Sequence, residues 1–505
     1  MADKKLSVLQ IENVNGVDAG NVSELQKEID IIAALTPEEY AVEEKALVRK
    51  LDMRLMPVLW ILLVLNYLDR NALASARVQG IEEDLGMKGT DFNVAISILF
   101  AAYIIGGIPA NMILSRSRPS YFIAFFVALW GLVSLCTAFV KTRNQLYAVR
   151  VLLGLVEAPY FPGSVFLLSS WHKRSELALR TAILYTGSLL AGAFSGFISG
   201  GVQASLDGVR GLESWRWVFL IEGAITVFAA ICAVFLLPDY PATTKSFTLR
   251  QRALAVYRLE VDAGSKDGEE QVGQLATLKA AVLDWRLWAL CVITAAKTTA
   301  SAFTQFIPTV MRDFHYSKTN TLLITAPPYV VAAIFSLVLS RLSDRKGQRC
   351  YFFVVPLAVG MIGFIIAAAT LNTAARYVAI VLALCGLHGN FNILLAWYSG
   401  VFQRPRAKRA VAIGFINSFG NLAQIWSPYL YPKSDGPEYS IAFITNSVVA
   451  ALAIALCLVL RFFLARDNAR MDREEAELYG DDEKDAGSDG VSRMAPAQKQ
   501  LRYVL

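Results

Sequence analysis

Charge is scarce in this sequence. Only 18% of its residues are Asp, Glu, Lys or Arg, against 55% hydrophobic, and the mean hydropathy is +0.44. A soluble globular chain is excluded, and a polytopic membrane protein is what remains. Histidine is scarcer still: His172, His315 and His388 are the complete set. No histidine–carboxylate cluster of metal-binding spacing occurs, so no metal and no cofactor is expected, and an enzyme would have no catalytic constellation. The six cysteines give neither a disulfide framework nor a zinc spacing; Cys136, Cys232, Cys291, Cys385 and Cys457 fall in apolar segments and Cys350 beside a basic loop. Residues 1–50 contain no basic stretch followed by an apolar one, so the first span is expected to act as its own insertion signal. The net charge of +6 is scattered in short clusters between apolar segments. That distribution argues against a nucleic-acid partner and for the lipid bilayer.

What is present is a series of apolar runs of spanning length, each about 20 residues. They lie at about 55–76, 92–114, 121–140, 145–168, 179–203 and 215–237, then, after a polar stretch from Pro238 to Asp284, at 286–311, 321–341, 350–371, 377–400, 409–432 and 439–464. The reading is an all-α membrane protein of twelve transmembrane helices in two six-helix bundles, residues 55–237 and 285–464. These are flanked by an N-terminal arm (1–54), a central loop (238–284) and an acidic tail (465–505). Such halves predict two related bundles with a substrate site between them near the midplane. Arg116, Arg118, Lys173, Arg174, Arg341, Arg345, Lys346, Arg349, Arg404, Arg406, Lys408 and Arg409 occupy alternate connections. Those loops, the central loop and both termini are therefore expected to be cytoplasmic. Thr36-Pro37-Glu38-Glu39 has the form of a capping box opening a helix that runs into the first span. Gly192, Gly196 and Gly200 give the fifth span a smooth face for close helix approach.

Against this background the ionisable residues inside spans stand out. Asn66-Tyr67-Leu68-Asp69-Arg70-Asn71 places a carboxylate and a guanidinium in the first span, where each charge costs about 2.5–3.5 kcal/mol on insertion scales. Two readings are open: a salt bridge that fixes helix packing, or a substrate or ion site on a water-filled pathway. In the fourth span Arg150, Gly154 and Glu157 share one face. If the first span runs outward and the fourth inward, Asp69 and Glu157 come to similar depth and two carboxylates and two arginines share one cluster. Neighbours on a helix point about 100° apart, so Asp69 and Arg70 are expected to face different partners. Glu222, near Trp215, Arg216 and Trp217, is expected to make a structural pairing near the outer interface. Lys297 and His388 lie in the second half, where either meets an anion or simply a carbonyl.

Asn66-Tyr-Leu-Asp-Arg-Asn71, the Tyr103 to Pro109 segment, and Arg150-Val-Leu-Leu-Gly154-Leu-Val-Glu157-Ala-Pro159-Tyr-Phe-Pro162-Gly163 resemble the anion:cation symporters of the major facilitator superfamily. Ser214-Trp-Arg-Trp217 with Ile221-Glu-Gly223, the Leu237-Pro-Asp-Tyr-Pro241 exit, Pro428-Tyr-Leu-Tyr-Pro432 and Pro437-Glu-Tyr439 narrow the resemblance to the fungal allantoate permease group. It covers about Lys50 to Ala465. It implies a monomeric, plasma-membrane secondary transporter that moves a small organic anion or vitamin-like carboxylate with a proton by alternating access. Relatives of that group carry allantoate, nicotinate, pantothenate or biotin. An exporter of a carboxylated metabolite and a transport-deficient nutrient sensor are the alternatives. By the same resemblance Asp69, Glu157 and Arg150 serve proton coupling, and Arg70, Tyr67 and Tyr103 bind substrate. Lys297, His388 and Asn390 are taken as substrate-binding residues of the second half, although Lys297 matches no position of the family pattern. Asp344, Arg345 and Arg349 keep most of the superfamily's loop signature, which the Ser115-Arg-Ser-Arg118 loop has lost. Gly200-Gly201 without a following proline argues against drug-type proton antiport.

Overall fold

The computed structural model of the chain describes residues 19–114, 117–244, 246–264, 274–402, 406–485 and 503. Ser115, Arg116, Arg404 and the side chains of Arg174, Asp344 and Arg406 lie outside the described residues, as do 265–273 of the central loop and, Tyr503 apart, the end of the tail. The fold is all-helical, with no strand among the described residues. Its helices are α1 (Ala19–Ala33), α2 (Pro37–Gln79), α3 (Asp91–Leu114), α4 (Pro119–Thr137), α5 (Arg143–Glu157), α6 (Tyr160–Ser169), α7 (Arg174–Ser205), α8 (Ser214–Leu236), α9 (Leu249–Gly264) and α10 (Gln274–Val282). They continue as α11 (Trp285–Ser301), α12 (Ile307–Arg312), α13 (Lys318–Ile324), α14 (Ala326–Lys346), α15 (Cys350–Ala369), α16 (Thr373–His388), α17 (Phe391–Val401), α18 (Arg406–Trp426) and α19 (Ser440–Asp485).

All twelve expected segments are helical. Among the described residues ten helices, some continuing across a short break, are long and apolar enough to cross a membrane; α3 and α18 cover the two remaining expected segments. The first span is longer than its apolar run, because α2 is one helix of 43 residues. Its start is the capping box: the Glu39 amide donates to Thr36 Oγ1 and the Thr36 amide to Glu39 Oε2 (3.4 and 3.1 Å). These bonds satisfy two amides that the first turn leaves without partners. Proline ends or interrupts helices where it removes a donor: Pro159 separates α5 from α6 and Pro308 opens α12.

The chain divides into two compact units. The first takes residues 1–270 with Gln305–Val330 and Pro432–Ser434; the second takes Gln271–Thr304, Val331–Tyr431 and Asp435–Leu505. Inside the first, α2 packs on α7 and α8, α4 on α5 and α8, and α3 on α5. Inside the second, α11 packs on α18 and α19, and α15 on α16 and α19. The same ordinal pairings recur (first helix with fifth and sixth, third with fourth and sixth), as internal repeats of one bundle require. The glycine face of α7 receives the Leu322–Tyr329 segment of its own unit. A Cβ on Gly196 would lie 2.5 Å from Thr325 Oγ1, and one on Gly200 2.8 Å from Leu323 Cδ2.

Candidate functional site

The first unit gathers its intramembrane charges where α2, α4, α5 and α8 meet. Arg70 Nε donates to Glu157 Oε1, and Asn66 Nδ2, one helical turn earlier on α2, donates to the same oxygen at 2.6 Å. The guanidinium is walled by rings, with centroids 4.9 Å away at Tyr103, 5.3 Å at Tyr67 and 5.5 Å at Phe100. Arg70 thus spends its charge on one carboxylate and three π faces. Asp69 turns the other way, as adjacent helical positions must, and accepts from Ser134 Oγ of α4 at 2.6 Å. Arg150 lies over the Phe219 ring of α8 at 5.6 Å and interacts electrostatically with Asp69 and Glu157. Its Nε and Nη2 have no hydrogen-bond partner, nor do Asp69 Oδ2 and Glu157 Oε2. Gly154 makes the arrangement possible, since a Cβ there would overlap the Leu99 carbonyl and come 2.9 Å from the Ala102 Cβ of α3.

Asn66, Ser134 and Phe100 were not singled out as site residues in the sequence. Asn66 had a signal, because it stands at i and i+4 with Arg70. Ser134, a hydroxyl on an otherwise apolar helix, had none. Glu222 departs from expectation: it is 2% exposed and both its carboxylate oxygens lack a hydrogen-bond partner. The outer-interface groups thought to hold it pair elsewhere. Trp215 donates to Asp84 (3.0 Å) and Arg216 pairs with Glu213 (2.5 Å) and Asp84 (3.3 Å).

In the second unit Lys297 of α11 is buried with its ammonium 4.8 Å from the Phe391 ring centroid. No carboxylate balances it among the described residues; its electrostatic neighbour is His388. His388 has neither ring nitrogen bonded, and Asn390 donates to the Phe353 carbonyl at 3.4 Å while its own Oδ1 is unpartnered. His388 and Asn390 flank the break between α16 and α17, as Glu157 precedes the break between α5 and α6. Of the loop-signature residues, Arg345 is exposed and Arg349 Nη1 donates to Ser343 Oγ at 3.1 Å.

Apolar helices in two similar bundles, each with buried ionisable groups beside a helix break, define an integral, multi-pass membrane transporter. The Major Facilitator Superfamily profile matches residues 59–428. The chain is 31% identical over 90% of its length to "MFS transporter prlL" of Fungal sp. (strain NRRL 50135), 94% of which is covered. It is 30% identical over 91% to "MFS-type transporter cnsO" of Penicillium expansum, with 90% of that protein covered. In three dimensions it is similar to a bacterial homologue of the human lysosomal transporter Spinster, with a TM-score of 0.65 at 16% identity, 81% of this chain and 97% of that one covered. The xylose transporter XylE from E. coli matches with a TM-score of 0.61 at 12% identity, 79% and 96% covered. The chain belongs to the Major Facilitator Superfamily.

Proposed function

We propose that this transporter is a proton-coupled symporter of a small organic anion, of the anion:cation symporter type and close to the allantoate permeases, working as a monomer in the plasma membrane with both termini cytoplasmic. The observation that carries the anion is Lys297. A buried ammonium without a carboxylate partner is a costly feature unless an incoming negative group supplies the missing charge. Arg70, with Tyr67 and Tyr103 around it, offers the planar fork that suits a carboxylate; His388 supplies ring nitrogens near Lys297, and Asn390, two residues on, has a free amide oxygen.

Coupling follows from the Arg70–Glu157 pair. While Glu157 is ionised it occupies the guanidinium; once protonated it releases Arg70 to an anion. Proton and substrate therefore strengthen each other's binding, a reciprocity required by linkage. Asp69 and Arg150 adjoin this exchange, and the carboxylates titrate as a set.

The test is uptake of a panel of labelled organic acids and vitamins into cells expressing the chain, with and without a protonophore. Symport predicts uptake of an anion that the protonophore abolishes; uptake indifferent to it sinks the coupling. Glu157→Gln imitates the protonated form, so substrate exchange should persist while accumulation driven by a proton gradient is lost. Lys297→Met should abolish uptake of the anion without lowering the melting temperature. Unchanged uptake in that variant would remove the anion assignment from Lys297.

A further inference from the structure

The charges of the first unit's cluster do not balance. Asp69, Glu157 and Glu222 offer three carboxylates to the two guanidinium groups of Arg70 and Arg150. In an apolar span one negative charge in excess has to be met by a bound proton, because an uncompensated buried carboxylate is far costlier than a neutral carboxyl group. The proton's place follows from the hydrogen bonds. Glu157 receives Arg70 and Asn66; Asp69 receives Ser134 and interacts electrostatically with Arg150 more than with Arg70. Glu222 receives no donor on either oxygen, and its electrostatic neighbour is Asp69, a like charge.

We infer that Glu222 is a proton-binding site of the transporter, a third carboxyl that holds the resident proton of the cluster and exchanges it with Asp69. In that exchange the O–H bond on Glu222 breaks and one forms on Asp69 Oδ2, the oxygen that has no donor; nothing is oxidised or reduced. The surroundings of α8 keep the group out of contact with other charges. Of the helices packed on it, α4 carries none, α2 presents Asp69, and the described charges of α7 are engaged, Glu176 with Arg258 and Arg180 with Asp52. Arg150 meets α8 at Phe219, one turn from Glu222 on the same face, where it lies over the ring. Gly223 lets the helices close beside the carboxyl: a Cβ there would lie 2.7 Å from the Leu135 amide nitrogen and 2.9 Å from the Gly131 carbonyl oxygen, so the α4 and α8 backbones touch there.

This deepens the proton-coupled reading, and its test separates the two. The full chain is reconstituted in lipid vesicles, and infrared difference spectra are recorded across a pH jump. A carbonyl band of a protonated carboxyl group is expected in the wild type. It should move in frequency in Glu222→Asp, be lost in Glu222→Gln and in Asp69→Asn, each of which leaves two carboxylates for two guanidinium groups, and be unaffected in Glu213→Gln, whose acid is at the surface. A band that persists unmoved in all the Glu222 variants overturns the inference, whatever the transport assay gives. In the same vesicles, proton-driven accumulation by the wild type decides symport independently. If symport holds, Glu222→Gln should also shift the pH dependence of substrate exchange that Glu157 sets, since the cluster then has one carboxyl fewer to share its proton. Unaltered pH dependence together with an unchanged band would leave Glu222 as a packing residue.

Discussion

At the scale of single residues, the candidate site is organised around two guanidinium groups. Arg70 is bound to Glu157 through Nε and walled by Tyr67, Phe100 and Tyr103. A lysine would keep the charge and lose the planar fork and the stacking. Arg70→Lys is expected to weaken apparent substrate affinity about ten- to a hundredfold, the range of a lost charge-assisted hydrogen bond of about 1.5–3 kcal/mol. Substrate concentration at half-maximal uptake is the measurement, and an unchanged value would leave Arg70 as a packing residue. The presence of this cluster was legible in the sequence, because charges inside apolar runs are conspicuous and helical spacing puts Arg150 and Glu157 on one face. The partnering was legible only in part. Asn66 shares the Arg70 face and was open to discovery, whereas the Ser134 bond to Asp69 joins residues 65 apart in the chain, and no local pattern announces it. Glu222 misled for the same reason: aromatic and basic neighbours in sequence stood close, yet in the helix they point to Asp84 and Glu213.

At the scale of elements, two devices recur in both units: a cation on the first helix, and a titratable side chain beside a break in the fourth. Arg70 and Glu157 form one such set and Lys297 and His388 the other, with the break supplied by Pro159 in one case and Gly389-Asn390 in the other. A broken helix exposes backbone groups at mid-membrane only where protein or a cavity can meet them. The sequence showed the prolines, but not which of them would break a helix; Pro57 and Pro109 pass inside continuous α2 and α3. Glycine contacts make the closeness of these helices testable. At Gly154 the obstacle is the Leu99 backbone, which cannot swing aside, so Gly154→Ala should destabilise by about 1–3 kcal/mol as overpacking does. Gly201 has nothing within 4 Å of the added Cβ, and Gly201→Ala should be neutral or slightly stabilising. Melting temperatures in detergent compare the two; equal values would mean that α3 and α5 are less tightly joined than they stand.

At the scale of the first unit as a whole, the connecting segments sort into two separate charge networks. One joins the N-terminal arm, the 170–180 connection and the central loop. In it Lys173 pairs with Glu44 at 2.5 Å, Arg250 with Glu43 at 2.6 Å, Arg258 with Glu176, and Lys50 with Gln251 at 2.8 Å. The other joins the opposite ends: Arg77 with Glu82, Lys433 with Glu82, Arg143 with Asp91 and Arg216 with Asp84. Segments in one network must share a side of the membrane, and the topology proposed above puts the first network in the cytoplasm. An epitope at residue 265 should therefore be inaccessible from outside intact cells, and labelling there would reverse the topology. The first network also contains a pH-sensitive joint. His172 is buried against the Leu168 carbonyl (3.1 Å) and Asp52 (3.2 Å), while Arg180 grips the same carboxylate through two bonds at 2.6 and 2.7 Å. A lone carboxylate would raise the imidazole's pKa, but burial first and Arg180 second outweigh it and push the value below its ordinary 6.5. Between the depressed native value and the ordinary unfolded one, the unfolded state binds more protons. Stability is then fully present above about pH 6.5 and falls as the pH drops through that window. His172→Asn removes the titrating group and should flatten that fall. The comparison is the melting temperature of wild type and variant in detergent at neutral pH and at successively lower values; parallel declines would show that the acid sensitivity of the protein arises elsewhere.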